Sequence, residues 1–73
     1  MITFDPLWRT LADRQMSKGD LQKLTGFSST TIAKLSKNSS VMLDVVDRIC
    51  EALKVSIYDV VEVIQESTHS NSI

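Results

Sequence analysis

Apolar residues recur at helical spacing along most of this chain. The clearest stripe comprises Val46, Ile49, Cys50 and Leu53, which stand at positions i, i+3, i+4 and i+7. This spacing predicts a helix from Leu43 to Leu53 with one buried face. Because Cys50 lies inside the stripe, we interpret it as a small buried apolar residue and assign it no reactive or metal-binding role.

Another helix is predicted near the N-terminus. Asp5 is its expected N-cap, and Pro6 occupies the first helical position, where the missing N–H of proline costs nothing. Apolar residues at helical spacing continue to about Gln15, and we expect Trp8 in the core. A short fifth helix is predicted from Ile57 to about Val61, capped by a serine.

Two segments near the ends of the chain have the composition of strands. Ile2 and Phe4 alternate with a threonine, and Val61–Ile64 contains three β-branched residues. We predict that the two segments pair as a short ribbon. Because an isolated two-stranded ribbon is weak, it needs to lean on the helices or pair across a dimer.

Two short helices joined by a tight turn are predicted in the centre of the chain. Ser17 is the N-cap of the first, Lys18–Thr25, and Asp20 three residues later completes a variant of the capping box. Gly26 ends this helix, because glycine adopts the left-handed conformation without steric cost. The pattern then repeats with another capping serine.

The second helix of this pair follows Ser28, its N-cap, and runs from Ser29 to about Lys37. Apolar residues of both helices and the turn predict one shared core: Leu21, Leu24, Phe27, Ile32 and Leu35. The outer face of the second helix is small, polar or basic: Ser29, Thr30, Ala33, Lys34 and Lys37. This arrangement predicts a helix-turn-helix whose outer face suits the major groove of DNA. A plain solvated helix face is the alternative interpretation.

The central stretch and the segment after it resemble the Cro/CI-type helix-turn-helix domain, a family of phage repressors and small bacterial regulators. The resemblance covers nearly the whole chain and is carried by Met16–Ser17, Leu21, Leu24, Thr25–Gly26–Phe27–Ser28, Thr31–Ile32, Leu35 and the segment Leu43–Val61. It implies an all-α, compact five-helix domain like that of the lambda repressor, over residues 1–66, with the helix-turn-helix at about 17–37. Residues 67–73 are expected to form a flexible polar tail.

The chain departs from the family pattern at three positions. Lys18 stands where the family usually has a glutamine that contacts both the DNA backbone and a base. Gln22 stands where a small alanine normally lets the two helices approach. Asn38 replaces the glycine that commonly ends the second helix, although asparagine tolerates the same conformation. The first departure bears on which bases are read, and the other two bear on local packing.

The outer face and the resemblance together predict which residues contact DNA. Those expected to reach base edges are Ser29, Thr30 and Lys34, and the lysine can donate to guanine acceptors. Those expected to contact phosphates, which position the domain without specifying sequence, are Ser17, Lys18, Thr31, Lys37, Asn38, Ser39 and Ser40. For the loop 38–40, a plain polar linker is an equally good interpretation.

Charge is divided unevenly along the chain, although the net charge is only −1. Residues 1–37 contain six basic and three acidic side chains, a balance of +3, whereas residues 38–73 contain two basic and six acidic ones, a balance of −4. Positive charge therefore gathers around the helix-turn-helix, which would orient the domain on a phosphate backbone. The acidic half can serve a protein partner instead.

The residue inventory offers no catalytic constellation. One histidine and one cysteine supply neither a triad nor a metal-spaced pair, and no glycine-rich phosphate loop is present. We therefore expect no enzyme activity, no cofactor and no metal. The sequence has no stretch of about 20 apolar residues and no signal-peptide pattern, so we expect no membrane partner and a cytoplasmic location.

The function that these observations predict is sequence-specific binding of double-stranded DNA by a transcriptional regulator, with repression as the expected outcome. Half-site recognition of a palindrome implies a homodimer on DNA. The alternative, from another class, is a protein-interaction module or an antitoxin-like accessory factor that keeps the helix-turn-helix fold. Low net charge favours the alternative, and the lysines beside a helix start built of small residues favour DNA.

Overall fold

Four α-helices and a two-stranded ribbon make up the part of the chain that the structure, a computed structural model, describes, namely residues 1–65. In chain order the elements are β1 (Ile2–Thr3), α1 (Asp5–Asp13), α2 (Lys18–Thr25), α3 (Ser29–Ser36), α4 (Leu43–Leu53), a 3-10 turn (Ile57–Asp59) and β2 (Glu62–Val63). Both α2 and α4 begin and end where the sequence predicts, and α3 ends one residue early.

The start of α1 differs from the prediction. Asp5 is the first residue of the helix and not its N-cap; Phe4 occupies the cap position, and no side chain caps the helix end. The Asp5 N–H instead donates to the Thr3 hydroxyl at 3.2 Å. The helix ends at Asp13 rather than at about Gln15, because Gln15 adopts a left-handed conformation with φ of 57°.

The predicted fifth helix, from Ile57 to about Val61, is wrong, and the five-helix count is not confirmed within residues 1–65. Ile57–Asp59 forms a single 3-10 turn. The next residue, Val60, is fully buried, and its carbonyl accepts from the Leu7 N–H at 3.2 Å. Because Val60 is anchored to α1 and the chain enters β2 at Glu62, no room remains for a second helical turn.

The predicted ribbon is confirmed. The two strands are antiparallel and pair Ile2 with Val63 and Thr3 with Glu62. Backbone hydrogen bonds between Met1 and Ile64 extend the pairing, with 2.7 Å from the Ile64 N–H and 3.3 Å from the Met1 amino group. Thr3 is buried, so the ribbon rests on the helices, as an isolated ribbon would need.

One hydrophobic core joins all these elements. Its buried members are Phe4, Leu7, Leu11, Leu21, Ile32, Leu35, Val46, Ile49, Leu53 and Val60. Trp8, Phe27 and Cys50 pack against it and are only partly buried, so the expectation of a core tryptophan holds only in part. Burial raises the pKa of the Cys50 thiol above its ordinary value, helped by the carboxylates of Asp47 and Asp59.

Leu24 was expected in the core and is 52% exposed instead. The core face of α2 is formed by Leu21 and Thr25, which are one turn apart and both buried. Thr25 tolerates burial because its hydroxyl donates to the Leu21 carbonyl at 2.8 Å. Thr25, and not Leu24, is therefore the second buried residue of α2.

Two further expectations concern the C-terminal tail and the possibility of a membrane-spanning helix. The predicted tail, residues 67–73, lies outside the residues that the structure describes. Within residues 1–65, no helix has both the length and the apolar character needed to cross a membrane.

Candidate nucleic-acid interface

Ser17 and Asp20 close the N-terminus of α2. The Ser17 hydroxyl accepts from the Asp20 N–H at 3.0 Å, and the Asp20 carboxylate accepts from the Ser17 N–H at 2.9 Å. The predicted capping box is therefore confirmed. The hydrogen bond from the Ser17 N–H is the largest of the effects that hold the pKa of Asp20 below its ordinary value of 3.8. The Ser17 hydroxyl and the positive charge of Lys23 lower the pKa further.

The turn between α2 and α3 is held from both sides. Gly26 adopts the predicted left-handed conformation, with φ of 78°. The Thr25 hydroxyl accepts from the Phe27 N–H at 3.3 Å, and the Thr25 carbonyl accepts from Nε of Arg48 at 2.8 Å. Sequence reasoning missed this role of Arg48, because a basic residue on the outer face of α4 looks like any solvated charge.

The start of α3 is capped and open to solvent. The Ser28 hydroxyl accepts from the Thr31 N–H at 3.2 Å and lies 3.2 Å from the Thr31 hydroxyl. Next to this cap, Ser29 and Thr30 are exposed, and one turn later Lys34 is exposed as well. Hydroxyls thus line the first turn of the helix, and an ammonium group follows on its last turn, as the sequence predicts.

Gln22, one of the departures from the family pattern, lies between the two helices. Its amide nitrogen donates to the Ser29 hydroxyl at 3.4 Å, and the side chain is partly buried. The larger residue is therefore accommodated as a bridge from α2 to α3 at the edge of their contact.

Lys18 makes contacts that the sequence did not predict. Its ammonium nitrogen donates to the Ser36 hydroxyl, at the end of α3, over 2.9 Å, and stands 4.7 Å from the centre of the Trp8 ring. A cation over an indole face gains about 0.5–1 kcal/mol at an exposed site. This lysine therefore links α1, α2 and α3 in addition to its predicted place on the DNA side.

The loop after α3 begins with a helix cap built on Asn38. Asn38 has φ of 55°, its N–H donates to the Leu35 carbonyl, and the next N–H, of Ser39, donates to the Lys34 carbonyl at 2.9 Å. The left-handed role expected of Asn38 is confirmed. Its side-chain oxygen accepts from the N–H of Phe4, the residue between β1 and α1, at 2.9 Å, a bond that sequence reasoning missed.

The predicted contact residues lie along the capped ends of α2 and α3 and the loop that follows α3. Eight of the ten are exposed, and two, Thr31 and Asn38, are partly buried because each takes part in a cap. Among residues 1–65 no group of three or more histidine, cysteine, aspartate or glutamate side chains is placed to bind a metal ion.

Comparison with known families supplies the decisive observation. Residues 6–66 match the family described as the Cro/C1-type HTH DNA-binding domain. The chain belongs to this family. A solved structure, that of the transcriptional regulator VanUg, is similar to this chain with 42% sequence identity and a TM-score of 0.84, over 89% of this chain and 87% of that one. Comparison with curated proteins gives no match.

Membership in the Cro/C1-type family confirms the resemblance that the sequence indicated. The family is one of DNA-binding domains and is not an enzyme class. Together with the similarity to a transcriptional regulator, it supports a role in DNA-binding regulation. The individual DNA contacts remain predictions.

Proposed function

We propose that this Cro/C1-type domain binds double-stranded DNA in a sequence-specific way and regulates transcription by inserting α3 into the major groove. The observation that carries the proposal is the open start of α3, where small hydroxyl residues follow a capped helix end. A helix with small residues at its start can approach the floor of the groove closely. Repression is the simplest consequence, because a bound domain excludes other proteins from the DNA that it covers.

Three side chains are assigned to base reading. Ser29 and Thr30 stand at the start of α3 and offer both a donor and an acceptor. Lys34 is one turn further and donates to the N7 and O6 acceptors of guanine. All three side chains are exposed, and among the described residues only that of Ser29 has a hydrogen-bond partner, at the long distance of 3.4 Å.

The phosphate contacts are assigned to the helix caps and the loop after α3: Ser17, Lys18, Thr31, Lys37, Asn38, Ser39 and Ser40. Helix N-termini favour anions, since their N–H groups and the helix dipole point outward. Lys18 is held by Ser36 and Trp8, which presents its charge at a fixed place. Asn38 uses its side-chain oxygen for Phe4, so its amide nitrogen is the group left for a phosphate.

The experiment is selection of bound fragments from random DNA, followed by affinity measurements on the enriched site and on unrelated DNA as the salt concentration rises. We expect an enriched motif and an affinity that falls steeply with salt. The full chain is compared with two lysine variants of the same helix, Lys34→Ala and Lys37→Ala.

The two variants separate base reading from phosphate binding. Lys34→Ala should lose about 1–3 kcal/mol of discrimination between the enriched site and other DNA, because it removes a base contact. Lys37→Ala should weaken binding to both kinds of DNA equally and reduce the salt slope by about 1, because it removes a phosphate contact. If Lys34→Ala weakens both equally, Lys34 contacts only phosphate. If no motif is enriched, the domain is an interaction module instead.

A further inference from the structure

The side chains of Gln22 and Ser29 are joined across the contact between α2 and α3. The amide nitrogen of Gln22 donates to the hydroxyl oxygen of Ser29, the first residue of α3, at 3.4 Å. Neither side chain has another hydrogen-bond partner among residues 1–65. Because Gln22 is partly buried and Ser29 is exposed, the bond runs from the helix contact out to the surface that we propose faces DNA.

The direction of this bond affects what the Ser29 hydroxyl still offers to a ligand. A serine hydroxyl has one proton to donate and two lone pairs that accept. Since Gln22 is the donor, the Ser29 oxygen uses a lone pair on the protein side and keeps its proton. A hydroxyl that accepts a hydrogen bond is also polarised toward donating its own. The bond therefore favours Ser29 as a donor over Ser29 as an acceptor.

Thr30, the next residue of α3, provides a comparison. It is exposed as well, and among residues 1–65 its hydroxyl makes no hydrogen bond. A serine or threonine hydroxyl without such a partner can donate or accept according to the base that it meets. Lys18 also bonds from α2 to α3, but it does so at Ser36, the last residue of the helix. Gln22 is thus the residue of α2 that acts on the start of α3.

We propose that Gln22 is a positioning residue that sets the base preference of Ser29 by making the serine a donor to a base carbonyl. The inference rests on the proposed function, since it requires that Ser29 faces a base. In the major groove, O6 of guanine and O4 of thymine accept, whereas the amino groups of adenine and cytosine donate. Ser29 therefore prefers guanine over adenine, or thymine over cytosine, at the base that it meets.

The expected size of this preference follows from the length of the bond. At 3.4 Å the Gln22 amide lies at the long end of hydrogen-bond distances, so it biases the rotation of the Ser29 hydroxyl and does not lock it. A net hydrogen bond of ordinary strength changes an equilibrium constant about twofold to tenfold. We expect the lower part of this range, a preference of about threefold to fivefold.

The test compares two replacements of Gln22 that have nearly the same length. Gln22→Met fills the same space without the hydrogen bond, so binding to the two bases should become nearly equal. Gln22→Glu introduces a carboxylate, which only accepts, so Ser29 donates to it and offers DNA its lone pairs. This variant should reverse the preference, from guanine to adenine or from thymine to cytosine, by a similar factor.

The measurement starts from the site that the wild-type chain enriches from random DNA. Ser29→Ala identifies the base pair that depends on this hydroxyl, as the position at which selectivity is lost. Affinities are then measured for two sites that differ there by exchange of one purine for the other. Their ratio gives the preference, and the general repulsion between an introduced carboxylate and phosphates cancels in it. The base pair identified by Thr30→Ala is the control and should keep its preference in both Gln22 variants.

Combining each Gln22 variant with Ser29→Ala separates positioning from packing and from direct DNA contact. If Gln22 acts through Ser29, its replacement has no further effect on that base pair once the hydroxyl is absent. A folded Gln22→Glu variant that does not reverse the preference would overturn the proposal. So would an effect of Gln22→Met that persists in the Ser29→Ala background.

Two further results separate this inference from the proposed function. A chain that enriches no motif overturns both, whereas a motif whose Ser29-dependent base pair is indifferent to Gln22 leaves the function standing and overturns the inference alone. In the chain without DNA, the NMR shifts of the Gln22 side-chain amide should change on Ser29→Ala and not on Thr30→Ala. Shifts that stay unaltered on Ser29→Ala would show that the bond does not form, and would overturn the inference whatever DNA is selected.

Discussion

Replacing Gly26 with alanine tests whether the turn depends on backbone conformation or on space. Gly26 has φ of 78°, a region that L-residues enter at a cost of roughly 1–2 kcal/mol. A Cβ atom added there would meet nothing nearer than a guanidinium nitrogen of Arg48 at 4.0 Å, which is an ordinary contact. The penalty of Gly26→Ala is therefore conformational, and we expect it to be about 1 kcal/mol after the lower flexibility of the unfolded chain is counted.

The second glycine of the chain provides a control of opposite sign. Gly19 is the second residue of α2 and lies outside the left-handed region, and a Cβ atom there would stand 3.5 Å from the Ser17 hydroxyl, again an ordinary contact. Alanine is more favourable than glycine in a helix by about 0.5–1 kcal/mol. Gly19→Ala should therefore stabilise the domain, although the chemical change is identical to that at Gly26.

The assay is thermal unfolding followed by circular dichroism, with the free energy of unfolding taken from urea titration. A change of 1 kcal/mol shifts Tm by about 4–8 °C in a domain of this size. We expect Tm to fall by about that amount for Gly26→Ala, to fall less for Gly26→Asn, since asparagine tolerates the left-handed region, and to rise for Gly19→Ala. Equal shifts of the same sign at Gly19 and Gly26 would refute the reasoning.

Two further predictions concern hydrogen bonds at the start of α2 and at the turn that follows it. The pKa of Asp20 is lowered in the folded chain, so its carboxylate stabilises the fold above pH 3.8, and this stabilisation is lost as the pH falls below that value. The Tm difference between wild type and Asp20→Asn should therefore shrink in acid. A Tm difference that does not depend on pH would contradict this. Arg48→Met should lower the free energy of unfolding, measured by urea titration, by about 1 kcal/mol, since it removes the hydrogen bond to the Thr25 carbonyl. Arg48→Lys keeps the charge without that bond and should recover little of the lost stability. Full recovery by lysine would show that the charge alone matters.

Most features that sequence reasoning predicted correctly are encoded within a few residues of each other; the exception is the ribbon, which pairs Ile2 with Val63 from opposite ends of the chain. A capping serine and its partner lie three positions apart, and Gly26 or Asn38 marks a helix end on its own. Each of these depends only on local backbone geometry, so the printed order of residues contains the whole argument. The bounds of α2 and α4 follow directly from such signals and from hydrophobic spacing.

Several of the features that sequence reasoning missed depend on contacts between distant residues. The Arg48 bond to Thr25 spans 23 positions, and the Asn38 bond to Phe4 spans 34. A polar side chain that will meet such a partner looks the same in the sequence as one that stays in water. The exposure of Leu24 was missed for a different reason. Hydrophobicity alone places leucine rather than threonine in the core, but the hydroxyl of Thr25 donates to the Leu21 carbonyl, and this bond allows Thr25 to be buried instead.

These distant contacts also show that the residues that position α3 differ from those that we propose read DNA. Only Ile32 and Leu35 of this helix are buried in the core. Its orientation depends in addition on polar contacts at its two ends: Arg48 holds the turn before it, and Lys18 holds Ser36 at its last turn. None of these residues is among those assigned to base reading. Apart from Ser29, which accepts from the Gln22 amide of α2, the outer face of α3 can therefore change its sequence, and with it the DNA that we propose it reads, without altering the contacts that position the helix.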